Sequence, residues 1–170
     1  MKREYLEGGR IRAAHGVRGA LKVEHLCDSA SVLAKQKRVF LKMGNVYSER
    51  RVLTACTAGE GVIMTIEGVD TREAAIAMRD TVIYLHRTDI PVSEGAMLIA
   101  DMIGLPVYHS ETGDRLGEIS DISDIAARRI YSVRTDKGEV LLPDVDEFIK
   151  EISEEGMRVL PIPGFFDDEI

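Results

Sequence analysis

At 170 residues, with 45% hydrophobic and 30% charged side chains, the chain has the composition of an ordinary globular protein and room for one large domain or two small ones. The absence of tryptophan and an aromatic content of 5% leave Val, Ile, Leu and Met to fill a core, which suits small barrels and excludes an aromatic-rich interior. No apolar run approaches the ~20 residues that cross a bilayer, and Met1-Lys2-Arg3-Glu4-Tyr5 leads into charge rather than a signal-peptide stretch, so a cytoplasmic protein with no membrane partner is expected.

The net charge of −7 conceals a division. Residues 1–92 hold 15 Lys/Arg and 11 Asp/Glu, whereas residues 93–170 hold 7 and 18. The positive charge gathers early, with 12 basic against 5 acidic side chains in residues 1–51. A basic surface concentrates polyanions, and an acidic one attracts basic proteins and repels nucleic acid. Two partners of opposite chemistry are therefore expected. Two ordinary solvated surfaces would give the same count. Cys27 and Cys56 fit no disulfide framework and read as reduced thiols.

In chain order, Arg10 to Ala14 reads as a strand ending in the turn His15-Gly16-Val17-Arg18-Gly19. Ala20 to Glu24 alternates, with Leu21 and Val23 on one face and Lys22 and Glu24 on the other. Lys35-Gln36-Lys37-Arg38 reads as a loop before a strand over Arg38–Met43, and Gly44-Asn45 turns the chain into a strand from Val46 to Thr57. Gly59-Glu60-Gly61 precedes another strand, Val62 to Glu67. One helix interrupts the series: Asp70 or Thr71 caps it, Glu73 suits its first turn, and Ala74, Ala75, Ala77 and Met78 are good helix formers. Val82 to Leu85 returns to strand. Short strands with turns between them predict a small barrel or sandwich.

His86 to Gly95, with Pro91 and Gly95, reads as the connection between domains. The expected division is 1–88, a linker 89–96, and 97–170. Beyond it, Leu105–Tyr108 and Arg115–Ile119 flank a turn at Glu111-Thr112-Gly113. Ile119, Ile122 and Ile125 have period three, which both a helical turn and a strand can carry. Ile130–Arg134 and Glu139–Leu142 flank Asp136-Lys137-Gly138 as a hairpin. Val145 to Ile152 is short and amphipathic, with Phe148, Ile149 and Ile152 available to a core. Met157 to Leu160 forms a last strand before Pro161, Pro163 and Gly164 end regular structure ahead of Phe165-Phe166.

The local sequence richest in chemistry is Gly9 to Gly19. Gly16 and Gly19 permit positive φ and close approach of another chain. Arg10, Arg12, Arg18 and Lys22 can hold phosphates, the guanidinium groups in bidentate fashion. His15, Lys35, Lys37 and Arg38 add to the basic field, and these eight residues form the expected RNA-binding set. A tight turn with solvated arginines is the plain structural reading of the same residues. The glycines are not a nucleotide-binding loop, since no Gly-Lys-Ser/Thr follows them. His15, His25 and Cys27 supply at most three ligands with no paired motif, so neither a metal nor a cofactor is expected. No Gly-x-Ser-x-Gly elbow is present, and no catalytic residues are assigned.

Taken together, four segments resemble the RimM family of bacterial 16S rRNA processing and ribosome maturation factors. They are Gly9 to Gly19, Glu67 to Ala75, Asp101-Met102-Ile103-Gly104-Leu105, and Val145 to Glu151, in the family's order and over nearly the whole chain. The resemblance implies a mainly β protein of two small β-barrels with a few short helices. The first is a six-stranded barrel like the second domain of translation elongation factors, and the second is a barrel of the photosynthetic-reaction-centre (PRC) type. It further implies association with the free 30S ribosomal subunit and 16S rRNA, assistance to maturation of the 30S head, and contact between the second barrel and the basic small-subunit head ribosomal protein number nineteen. The family's Tyr-Tyr pair at the start of the second barrel is replaced by Met97 and Leu98, its Asn-Asp pair before the hairpin by Arg128-Arg129, and its Phe after the hairpin proline by Asp144. Met97, Leu98, Asp144, Asp146 and Glu147 are the expected protein-docking residues. The expected activity is binding, with no enzymatic step. An rRNA-modifying or rRNA-cleaving enzyme and a two-barrel adaptor unrelated to ribosomes are the rival readings.

Overall fold

Alternating side chains build the first unit. Along β2 (Ala20–His25), Leu21 and Val23 are sealed from solvent while Lys22 and Glu24 are exposed, and β5 (Gly61–Ile66) and β6 (Val82–His86) repeat the pattern with Val62, Met64, Ile66, Ile83 and Leu85 inside. With β1 (Tyr5–His15), β3 (Arg38–Met43) and β4 (Val46–Ala58), these strands close a six-stranded barrel in the order β1-β2-β5-β4-β3-β6, and β6 returns to β1. Closure leaves no free edge and surrounds an aliphatic core. The computed structural model describes residues 2–92, 96–164 and 166. They fall into two compact units, Met1–Glu94 and Gly95–Ile170.

Two short helices accompany the first barrel. The expected one, α2 (Arg72–Ala77), is capped by Thr71, whose hydroxyl oxygen accepts the Ala74 amide at 3.1 Å. The other, α1 (Ala30–Ala34), occupies a stretch with no helix expected; the Ser29 hydroxyl accepts the Val32 amide, and Leu33 is fully buried. Five residues are too few to display a helical period. The segment after β6 is not plain linker either. Arg87–Asp89 forms a 3-10 turn, the Arg87 amide donates to the Glu4 carbonyl at 2.8 Å, and Ile90 is buried. Ser93–Gly95 of the expected linker, and Phe165, lie outside the described residues.

The second unit starts with the short helix α3 (Ile99–Met102), also not expected, followed by β7 (Pro106–His109), β8 (Arg115–Ile125), β9 (Arg128–Thr135), β10 (Gly138–Pro143), β11 (Ile149–Ser153) and β12 (Gly156–Val159). These form a six-stranded sheet in the order β10-β9-β8-β7-β12-β11, antiparallel except for the β12–β7 pair. One core draws on every strand: Val107, Ile119, Tyr131, Val133, Leu142, Met157 and Val159 are buried in it, and Ile149 and Ile152 of β11 pack against it. A flat sheet could not converge its strands on one cluster, so the sheet is curled around it. Ile119, Ile122 and Ile125 lie on a strand, not a helical turn. A register shift between Ile119 and Asp121 inserts a residue, turning the strand spacing of two into three. Ile125 is 59% exposed and takes no part in the core. The chain is thus mainly β, with two sheet domains and, among the described residues, three short α-helices.

Candidate RNA and protein interfaces

The turn joining β1 to β2 is pinned to the loop that leads into α2. Gly16 and Gly19 have φ of +67° and +85°, the left-handed region that disfavours side chains. Gly19 also packs so closely on Val69 that a Cβ would overlap its carbonyl. Beside it, Arg72 donates from its guanidinium to the Gly16 carbonyl at 2.8 Å. Two of the sequence segments singled out above, Gly9–Gly19 and Glu67–Ala75, therefore meet in space. The turn holds His15 and Arg18 in solvent, with Val17 75% exposed between them.

On the hairpin itself, Ile11, Leu21 and Val23 point inward, and Arg10, Arg12, Lys22 and Glu24 point outward. Arg12 is neutralised in place. Its Nε donates to the Glu24 carboxylate at 2.7 Å, a second guanidinium nitrogen pairs with the same carboxylate, and Asp80 stands 3.8 Å away. Arg10 faces Glu24 across the ladder but receives none of it. The Arg10 Nε is shut off from solvent and meets no acceptor among the described residues. A buried donor left unmade costs about 1–3 kcal/mol.

Lys35, Lys37 and Arg38 gather elsewhere, where α1 hands over to β3. Arg38 is committed: it donates to Asp89 at 2.7 and 3.1 Å and to Glu49 at 3.2 Å, and lies 5.3 Å from the Phe40 ring centre. The Asp89 hydrogen bonds hold its guanidinium above its already high ordinary value. A cleft of about 690 Å³ opens here, lined by Lys35, Lys37, Arg38 and Arg51 and by Glu49, Glu67 and Asp89. The eight expected residues are thus two groups with unequal freedom. Arg18, Lys22, Lys35 and Lys37 are exposed and pair with no carboxylate among the described residues, while Arg12 and Arg38 are held by acids.

Sequence reading missed Arg51 and Arg72, and also an aromatic cluster on the barrel. Tyr5 stacks on Tyr47 at 4.0 Å, Tyr47 meets Tyr84 edge-on at 5.1 Å, and Lys42 lies 5.7 Å from the Tyr47 ring centre. These residues are scattered over β1, β3, β4 and β6, so no local spacing announces them. His25 and Cys27 serve the chain locally: His25 Nδ1 lies 3.1 Å from the Cys27 carbonyl, and the Cys27 thiol donates to the Ser29 carbonyl. Among the described residues no three His, Cys, Asp or Glu side chains gather as a metal site.

In the second unit the docking set divides as well. Leu98 is 4% exposed and Met97 is half-buried against the core, so Leu98 does not present the surface anchor its position implies. Asp144, Asp146 and Glu147 are exposed. Asp144 follows the β9–β10 ladder, its amide donating to the Arg129 carbonyl at 2.9 Å, and the Asp144 and Arg129 charges act on the Tyr131 phenol in opposite directions. Burial chiefly, and the Asp144 charge next, push that phenol above its ordinary value. Arg129 lies 3.5 Å from Asp124, Arg115 and Arg134 pair with Glu118, and Arg158 pairs with Glu151.

Comparison with known proteins finds matches along both units. The family model for the RimM N-terminal domain matches residues 6–90, and that for the RimM PRC barrel domain matches residues 99–163. A ribosome maturation factor RimM from Fusobacterium nucleatum is 32% identical over 161 residues, covering 92% of this chain and 91% of that protein. The protein of the same name from Clostridium botulinum strain Hall is 31% identical over 158 residues, covering 92% and 93%. The solution structure of the N-terminal domain of RimM from Thermus thermophilus aligns at a TM-score of 0.43 and 25% identity, over 52% of this chain and 96% of that one. Two family models that together span most of the chain, and relatives matched nearly end to end, make this chain a member of the RimM family of ribosome maturation factors.

Proposed function

We propose that this chain binds the free small (30S) ribosomal subunit in the cytoplasm and assists maturation of its head and of 16S rRNA by binding, without catalysing a reaction. The first domain (residues 1–88) holds 16S rRNA through its phosphates. The second (residues 97–170) holds the basic small-subunit head ribosomal protein number nineteen through Asp144, Asp146 and Glu147. The observation that carries this reading is the opposite charge of the two halves, joined to the exposure of Arg18, Lys22, Lys35 and Lys37 in one and of those three carboxylates in the other. Two modest contacts on one chain raise each other's effective concentration, so the factor favours the arrangement in which RNA and protein lie together.

Co-sedimentation with immature small subunits through a salt series tests the reading. The full chain is expected to travel with the subunits and to be released as salt rises, because each phosphate contact gives up counterions. The triple variant D144K/D146K/E147K is expected to lose binding to the purified head protein while keeping its fold. A chain that never sediments with subunits at low salt would point instead to an adaptor outside the ribosome.

A further inference from the structure

The outward face of the β1–β2 hairpin carries three cations and one carboxylate, and their pairing is lopsided. Glu24 stands directly opposite Arg10 in the ladder. Its carboxylate nevertheless takes Arg12, through Nε at 2.7 Å. Arg12 lies at a register shift between Ile11 and Ala13, and such a bulge re-aims its side chain. Asp80 reinforces the choice from 3.8 Å. Arg10 is left over, with its Nε closed to solvent and without an acceptor among the described residues.

A guanidinium receives an oxyanion side-on, through Nε and a terminal nitrogen in parallel, and the match is best with a planar or tetrahedral oxyanion such as phosphate. In Arg10 the Nε donor is unused and sealed, so the side chain turns outward to present both nitrogens to an oxyanion and gives up no Nε hydrogen bond in doing so. Residues two apart on a strand stand about 6.8 Å apart, so Arg10 and Arg12 reach different anionic groups along a polymer. The Arg12–Glu24 pair is itself about half exposed on both sides, at 48% each. Exposed pairs of this kind are weak and exchangeable.

The geometry points to a phosphate clamp on this face: Arg10 is the receptor for one RNA backbone phosphate, and Glu24 is a placeholder that keeps Arg12 occupied until a neighbouring phosphate displaces it. The inference rests on the RNA reading above and deepens it, since it ranks the basic residues and assigns an acidic one to the same site. Glu24 lowers the resting affinity for polyanions, so that the full clamp forms only where consecutive phosphates can reach both arginines. Lys22, exposed on the same face, adds charge without directional contacts.

Two variants in the full chain test it, one that conserves charge and one that removes a single carboxylate without changing side-chain shape. Arg10→Lys keeps the charge but cannot offer the side-on pair, and is expected to weaken association with immature small subunits about tenfold. Glu24→Gln is expected to tighten association about threefold and to steepen the salt dependence by about one phosphate contact. Equal binding by wild type and Arg10→Lys, or weaker binding by Glu24→Gln at unchanged melting temperature, overturns the clamp while leaving subunit binding intact. Separately, the arginine Nε–Hε resonances of the wild-type chain are followed during titration with inorganic pyrophosphate, the Arg10 signal being identified by its loss in Arg10→Lys. Movement of that signal ahead of the Arg18 signal supports the clamp even if subunits are not bound. Movement of Arg18 with Arg10 unmoved refutes it.

Discussion

Arg72, at the start of α2, donates its guanidinium to the Gly16 carbonyl at 2.8 Å, across 56 residues of sequence. The contact fixes the β1–β2 turn to the loop before α2, and Gly19 completes the seal by packing on the Val69 carbonyl. The two glycines are consequently unequal. Gly16 has open space where a Cβ would stand, so Gly16→Ala carries only the left-handed backbone penalty, about 1–2 kcal/mol. Gly19→Ala carries that penalty plus a backbone overlap, and is expected to cost at least about 2 kcal/mol more. Urea denaturation of the two variants checks the order; equal losses would mean that the turn is not seated on Val69.

The same turn shows how far sequence reading reaches. Alternation puts Leu21 and Val23 inside and Thr71 with its alanines marks α2, because those signals are local; on β3 it gives the bounds Arg38–Met43 but not the faces, since Val39, Leu41 and Met43 alternate as an inward set while Phe40 is buried and Met43 is 67% exposed. The arginines of the site were equally visible. Their counter-ions were not, since Glu24 lies 12 residues from Arg12 and Asp89 lies 51 from Arg38. A cation list therefore overstated the free charge, and only tertiary pairing separates Arg18 and Lys37 from Arg12 and Arg38. Leu98 shows a related ambiguity: apolar character marks both surface anchors and core, and here the side chain is buried.

The hairpin between β8 and β9 holds two consecutive alanines in the left-handed region, Ala126 at φ 51° and Ala127 at φ 62°. Two-residue hairpin turns with positive φ at both positions normally employ Asn-Gly or Gly-Gly. Neither alanine contributes to the core, and both are exposed. Ala126→Gly and Ala127→Gly are each expected to stabilise the second domain by about 0.5–1 kcal/mol, the relief of the Cβ clash outweighing the greater freedom of glycine when unfolded. Thermal melts of the single variants measure this, and a loss of stability in both would contradict the turn geometry.

Tyr131 gives the second domain a pH limit. Burial, and then the Asp144 carboxylate, raise its phenol above the ordinary value of 10.0. In the unfolded chain the phenol ionises near that ordinary value, whereas in the folded chain it stays protonated to higher pH. Between the two values the unfolded state therefore binds fewer protons, and stability falls as pH rises. The contribution is fully present below about pH 10 and is lost as pH climbs through the raised value. Tyr131→Phe is expected to flatten the stability profile above pH 10, and Asp144→Asn to make its fall smaller by bringing the folded phenol back toward its ordinary value, both read from melts between neutral and strongly alkaline pH. An identical alkaline fall in Tyr131→Phe would assign it to another group.

The two thiols should report separately on the first barrel. Cys56 is exposed on β4. Cys27 sits half-buried just before α1, where its Sγ donates to the Ser29 carbonyl at 3.3 Å and burial raises its pKa above the usual 9.0. Alkylation proceeds through the thiolate, so a raised pKa and restricted access slow the reaction together. In the native chain at pH 8, iodoacetamide is expected to modify Cys56 faster than Cys27, because burial lowers both the thiolate fraction and the access of Cys27. In denaturing urea both shelters vanish and the two rates should converge. Timed quenching with peptide mass analysis resolves the sites. Because Ser29 both accepts the Cys27 thiol through its carbonyl and caps α1 through its hydroxyl, Ser29→Ala is expected to loosen the helix and raise the native Cys27 rate toward that of Cys56, with no change at Cys56 itself. A Cys27 rate that already matches Cys56 in the wild-type chain would mean that α1 opens freely in solution, and Leu33 would then not be the fixed part of the barrel core that its burial implies.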